Sequence, residues 1–246
     1  MALLQLQRTS TSLEKSTVVH LFLPEDRDLA ECPQLYLLHG LSDDSSAWTR
    51  FTSVERYARE AGLAVIMPDG GTSWYNNLSS GLHYHDYIAL ELPAYLQRVF
   101  RLGDDPRRRF IAGLSMGGCG ALKIGLRHPE NYAAIAAFSG AFDPQWVAEV
   151  HPEIFQADFR QSPWDPQDDP FQLVQNFPQG LPKPPLYLAS GTTDHQWEID
   201  LRMRDLAIQK GFEVTWSQNE MGHEWKQWDL EIQRAIPWML QHLPQA

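Results

Sequence analysis

Three side chains in this sequence have the types and order needed to turn a serine into a nucleophile. Ser115 lies in Gly113-Leu114-Ser115-Met116-Gly117, a GxSxG pattern between an apolar run, Arg109–Leu114, and a helical stretch around Leu122–Leu126. A serine hydroxyl is a poor nucleophile near neutral pH, so the chemistry needs a base to take its proton and a carboxylate to orient that base. His223 in NEMGHEW and Asp194 in GTTDHQW each follow a predicted strand, and the order serine, acid, histidine is the one expected on a strand–turn–helix scaffold. Asp143, after the run YAAIAAFSG, is a second candidate for the acid.

The glycines around Ser115 have a physical purpose. A nucleophile placed on a sharp turn requires tiny neighbours, because the strand and the following helix must approach closely. Gly113, Gly117 and Gly118 supply that space, and Gly120 with Ala121 lets the helix pack near the sheet. The helix start also directs backbone N–H groups at developing negative charge. The Met116 N–H is therefore one expected oxyanion donor, and the Leu41 N–H, after the His39-Gly40 pair in LLHGLSDDSSAW, is the other.

Such groups need a scaffold that brings loops together. Runs rich in Val, Ile, Leu, Phe and Tyr recur about eight times, from LLQLQRTS and TVVHLFL at the start to PLYLASG and FEVTWSQ near the end, and most are bounded by Gly, Pro or Asp. From about residue 33 they alternate with helical stretches. The clearest covers residues 86–100, with Ile88, Leu92, Tyr95, Leu96 and Val99 on one face. This pattern predicts a single α/β domain over residues 1–246: a mostly parallel central sheet of about eight strands flanked by helices, with an antiparallel hairpin at its edge. Ligands bind such sheets beyond the carboxyl ends of the strands. Residues 142–185 break the rhythm with scattered prolines and the aromatics Trp146, Phe155, Phe159, Trp164, Phe171 and Phe177. A structureless loop of that length is unusual, so an inserted cap with short helices is expected there.

Composition narrows the function classes. A formal charge of −11 argues against nucleic acid as a partner, because phosphate binding draws on clustered Lys and Arg. The run Arg107–Arg109 reads as a solvated turn. Two cysteines, Cys32 and Cys119, offer no disulfide framework or CxxC site. The start MALLQLQRTSTSLEKS lacks an apolar stretch of signal-peptide length, and no run is long enough to span a bilayer, so a cytoplasmic protein without membrane contact is expected. His83 and His85 form an HxH pair without a third clustered ligand, and no catalytic metal is expected. His20 and His128 read as structural.

Taken together, HGLSDDSSAW, MPDGGTSWYNN, ELPAYL, GLSMGGCGALKIGLRHPE, GTTD and GHEWKQWD resemble the putative-esterase family of α/β-hydrolases, from about residue 15 onward. The likeness is to tributyrin and acetyl esterases, with S-formylglutathione hydrolases and feruloyl esterases as relatives. It implies an α/β-hydrolase fold and hydrolysis of a small-molecule carboxylic ester through an acyl-enzyme, without a cofactor. It also implies Ser115 as nucleophile, Asp194 as acid, His223 as base, and Leu41 and Met116 as oxyanion donors. Short acyl chains are expected. Feruloyl or acetyl-xylan esters, a thioester, and acyl transfer to an alcohol on the same three residues stay open, as does a homo-oligomer. His195 stands where relatives often carry an apolar residue, Gly222 where an Asp is expected, and LSDDSSAW lacks the cysteine usual in the thioester branch. Trp48, Trp74, Tyr75 and His195 are candidates for the substrate pocket wall.

Overall fold

A computed structural model describes residues 1–153 and 168–244. Eight strands form one sheet: β1 (Ala2–Ser10), β2 (Lys15–Leu23), β3 (Gln34–Leu38), β4 (Ala64–Pro68), β5 (Arg109–Leu114), β6 (Ala134–Phe138), β7 (Leu186–Gly191) and β8 (Val214–Asn219). Their order is β1-β2-β4-β3-β5-β6-β7-β8. The pairs β1/β2 and β2/β4 are antiparallel, and every pair from β4 to β8 is parallel. Strands β3 to β6 are buried along their whole length, which explains their continuous apolar character: helices cover both faces.

Among the described residues, the α-helices of five residues or more are α1 (Ala47–Phe51), α2 (Val54–Ala61), α3 (Leu92–Phe100), α4 (Met116–Arg127), α5 (Pro144–Val150), α6 (Pro170–Gln175), α7 (Trp197–Gln209) and α8 (Trp225–Leu240). Trp48, Val54, Tyr57, Trp228, Ile232 and Ile236 of α1, α2 and α8 fill the core on one face. Leu92, Leu96, Cys119, Leu122, Met203 and Ala207 of α3, α4 and α7 fill it on the other. This is the α/β-hydrolase fold. No described helix is long and apolar enough to cross a membrane.

The expected helix over 86–100 is entered through a π-helical turn, Tyr87–Glu91. Hydrophobic spacing alone does not reveal that wide turn. It presents Glu91 to the β1–β2 hairpin, where its carboxylate accepts hydrogen bonds from Ser10 Oγ (2.9 Å), the Ser12 N–H (2.7 Å) and Arg8 Nη2 (2.5 Å).

Between β6 and β7, the insertion at 142–185 does contain short helices, α5 and α6. Phe155, Phe159 and Trp164 lie outside the described residues. Asp143 caps α5, its side chain accepting from the Gln145 and Trp146 N–H groups, and it pairs with Arg202 at 3.1 Å. It is thereby a helix cap and not the acid beside His223.

Candidate active site

Ser115 sits between β5 and α4 with φ 51° and ψ −117°, a conformation costly for a residue with a side chain. The backbone is held in it from three sides. The Ser115 N–H donates to the Phe138 carbonyl (2.8 Å), and its own carbonyl accepts from the N–H groups of Cys119 (3.0 Å) and Ala141 (3.1 Å). A β-carbon at Gly117 would lie 2.5 Å from the Leu38 carbonyl oxygen, and one at Gly113 would strike the Gly117 backbone. Only glycine lets the turn close at these two positions.

The loops after β5, β7 and β8 meet at one end of the sheet. His223 Nε2 lies 3.0 Å from Ser115 Oγ, and His223 Nδ1 lies 3.0 and 3.1 Å from the two Asp194 oxygens. A carboxylate only accepts, so the imidazole carries its proton at Nδ1 and offers the Nε2 lone pair to the serine. Burial alone would raise the Asp194 carboxyl. The hydrogen bond and charge of His223, with the Gln196 N–H at 2.8 Å, outweigh that and hold it below the usual range.

Two further sets of contacts position this array. The Thr192 N–H donates to Asn219 O (2.8 Å), joining the loop that carries Asp194 to the strand before His223. Asn219 is itself anchored: its amide donates to the buried Glu231 carboxylate (3.0 Å), which also accepts from Tyr187 Oη (2.9 Å). On the other side, the Trp228 ring meets the His223 ring edge-to-face, with centroids 4.9 Å apart. Trp228 Nε1 donates to Ser139 Oγ at 3.2 Å, and Ser139 Oγ donates to Gln227 Oε1 at 2.9 Å. None of Glu231, Asn219, Ser139 and Trp228 stands out in the sequence, because each acts from inside an ordinary strand or helix, or at its end.

Met116 opens α4, where a first-turn N–H has no acceptor within the helix, and Leu41 lines the same cavity as Ser115. The peptide carrying the Leu41 N–H is fixed by its other end. His39 Nδ1 donates to the Gly40 carbonyl at 2.8 Å, and the Asp43 N–H adds a longer bond at 3.3 Å. His39 Nε2 accepts from the Gly70 N–H at 2.8 Å, which places the ring's proton on Nδ1, while Asp69 at 3.6 Å lies beyond hydrogen-bond reach.

A cavity of about 580 Å³ opens on Ser115 and His223, walled by Leu41, Ser42, Trp74, Ala141, Trp146, Val150, His151 and His195. Trp74 and His195 therefore lie where the sequence suggests. Trp48 and Tyr75 do not. Trp48 is buried against Phe138 and Trp225, its Nε1 donating to the Leu38 carbonyl at 3.1 Å. Tyr75 covers Gly120, whose missing side chain leaves room for the ring, and its hydroxyl donates to the His39 carbonyl at 2.9 Å. Trp74 and Tyr75 both have positive φ, 49° and 58°, so the loop turns sharply and sends one ring to the cavity and the next beneath it. Trp146, Val150 and His151 come from the insertion, which thus forms one wall. His195 stacks on Trp146 with ring centroids 5.5 Å apart.

His83 and His85 diverge: His85 is buried with its Nε2 3.0 Å from His128 Nε2, and His83 faces Asp86. They join no group of three ligands among the described residues. His20 bonds Ser45 Oγ at 3.0 Å on β2.

The chain is a serine hydrolase of the α/β-hydrolase class, with the Ser115 hydroxyl on the turn after β5. The sequence profile of the Putative esterase family matches residues 10–239, and the chain belongs to that family; it is a carboxylic ester hydrolase. An acetyl esterase from Caldicellulosiruptor saccharolyticus is 27% identical over 263 residues, covering 97% of this chain and 98% of the relative. Two solved Staphylococcus aureus structures are each 30% identical and cover 97% of this chain and 98% of their own. They are an S-formylglutathione hydrolase (TM-score 0.88) and FphF, a fluorophosphonate-binding serine hydrolase (TM-score 0.89).

Proposed function

We propose that the protein hydrolyses short-chain acyl esters, acetyl and butyryl, through an acyl-enzyme on Ser115. The observation that carries this reading is the unbroken chain Ser115 Oγ, His223 and Asp194, with contacts of 3.0 Å on each side of the imidazole. Ser115 Oγ attacks the carbonyl carbon as His223 Nε2 takes its proton. The Leu41 and Met116 N–H groups then stabilise the oxyanion, and the imidazolium returns the proton to the departing alcohol. Water repeats the sequence and releases the acid. The likeness to an acetyl esterase supports a small acyl group, and the cavity of about 580 Å³ has room for one between Trp74, Trp146 and His151.

A panel of p-nitrophenyl acetate, butyrate and octanoate, with S-formylglutathione beside it, tests the reading. Acetate and butyrate should be the best substrates, and Ser115→Ala should lower kcat by about 10⁴-fold or more while leaving the fold intact. Near-normal hydrolysis by that variant, or no Ser115 labelling by a fluorophosphonate, would refute it. A kcat/KM for S-formylglutathione above every ester would move the assignment to the thioester.

A further inference from the structure

The Asp194 carboxylate has two imidazoles beside it, and ester hydrolysis uses only one. His223 Nδ1 is 3.0 Å from Asp194 Oδ1, and His195 Nδ1 is 3.8 Å from the same oxygen. One ligand atom from each of these three side chains falls within 4.8 Å of the others. A tetrahedral ion with bonds near 2.0 Å to nitrogen and oxygen keeps its ligands about 3.3 Å apart, a spacing that the two Asp194 pairs, 3.0 and 3.8 Å, bracket. His195 supplies the remaining adjustment: its side chain is half exposed, and the described ring contacts that hold it are a stack on Trp146 and a tilted contact with His223, 4.2 Å between centroids.

We propose that Asp194 Oδ1, His195 Nδ1 and His223 Nδ1 form an inhibitory site for Zn²⁺, with solvent as the fourth ligand. Two imidazoles and one carboxylate suit zinc, whereas Mg²⁺ and Ca²⁺ require oxygen ligands. The consequence for turnover rests on the esterase reading. Metal at His223 Nδ1 displaces the proton from that nitrogen, and the neutral ring then carries it at Nε2. An imidazole protonated at Nε2 has no lone pair for Ser115, and its bond to Asp194 is gone. Zinc would thus stop the reaction without touching the nucleophile.

The test uses protein freed of metal with a chelator. Zn²⁺ is titrated into p-nitrophenyl acetate hydrolysis by the wild type, His195→Phe and His195→Gln, each relative to its own metal-free rate. Inhibition reversed by chelator, with a half-inhibition concentration at least tenfold higher in both variants, supports the site. In parallel, Co²⁺ is titrated into Ser115→Ala protein, with and without His195→Phe. One equivalent giving the visible bands of tetrahedral Co²⁺, lost on replacing His195, supports it independently of turnover. Equal zinc sensitivity in all three proteins, or Co²⁺ bands unaffected by the replacement, overturns it. Should the metal-free wild type fail to hydrolyse esters while the His195-dependent bands appear, the site stands and the esterase reading falls.

Discussion

His39 Nδ1 donates to the Gly40 carbonyl at 2.8 Å, and that carbonyl shares a rigid peptide plane with the Leu41 N–H. Holding one end of the plane aims the other. His39 is therefore a positioning residue for the proposed oxyanion site, although it reaches no substrate. His39→Ala should lower kcat for p-nitrophenyl acetate by about 10- to 100-fold with little change in KM, less than outright loss of a donor. His39→Asn, whose amide N–H can reach the same carbonyl, should recover part of that loss. A KM effect with kcat intact would contradict the assignment.

Gly120 and Tyr75 act as a pair. A methyl group at 120 would enter the Tyr75 ring, so Gly120→Ala should destabilise the protein by about 1–3 kcal/mol through overpacking. Tyr75→Phe, which removes the bond to the His39 carbonyl, should cost about 1 kcal/mol. Urea unfolding of both variants measures each value.

Trp146 closes the cavity from the insertion. Trp146→Ala should raise the ratio of kcat/KM for p-nitrophenyl hexanoate over acetate by about tenfold, a change of the size that pocket contacts with methylene groups produce. An unchanged ratio would place the acyl chain elsewhere.

Stability should depend on Glu91 in acid. Burial would raise its carboxyl, but hydrogen bonds from Ser12, Ser10 and Arg8 bring it from 4.5 down to about 2. A depressed carboxylate stabilises the fold fully above its unfolded value, and the contribution is lost as pH falls through the folded one. Glu91→Gln should thus be less stable than wild type at pH 7, and the gap should shrink between about pH 4.5 and 2. Thermal unfolding of the two proteins across that range gives the comparison.

The placement of the candidate reacting groups was legible because their requirements are local. A serine flanked by glycines at a strand–helix junction, an Asp and a His each after a strand, and a free N–H after His39-Gly40 follow from backbone sterics and chain order. Orientation was not legible. The sequence places Trp48, Trp74 and Tyr75 in loops at strand ends but says nothing of which way each ring turns, and only Trp74 reaches the cavity. Gly120 held a clue, since a glycine inside a helix marks a close neighbour; its partner, Tyr75, lies 45 positions earlier. Asp143 carried its own signal: an Asp followed by Pro144 is a helix start.

Trp228, whose ring meets His223, and Gln227, which shares Ser139 with it, are borne by α8. Ser115 precedes His223 by 108 positions, so at about 5–20 residues per second a ribosome makes the serine some 5–20 s before the histidine. Until then the emerging polypeptide holds an alcohol with no imidazole at 223 to take its proton. Under the proposed mechanism, the capacity to cleave arrives only once the polypeptide through α8 has folded.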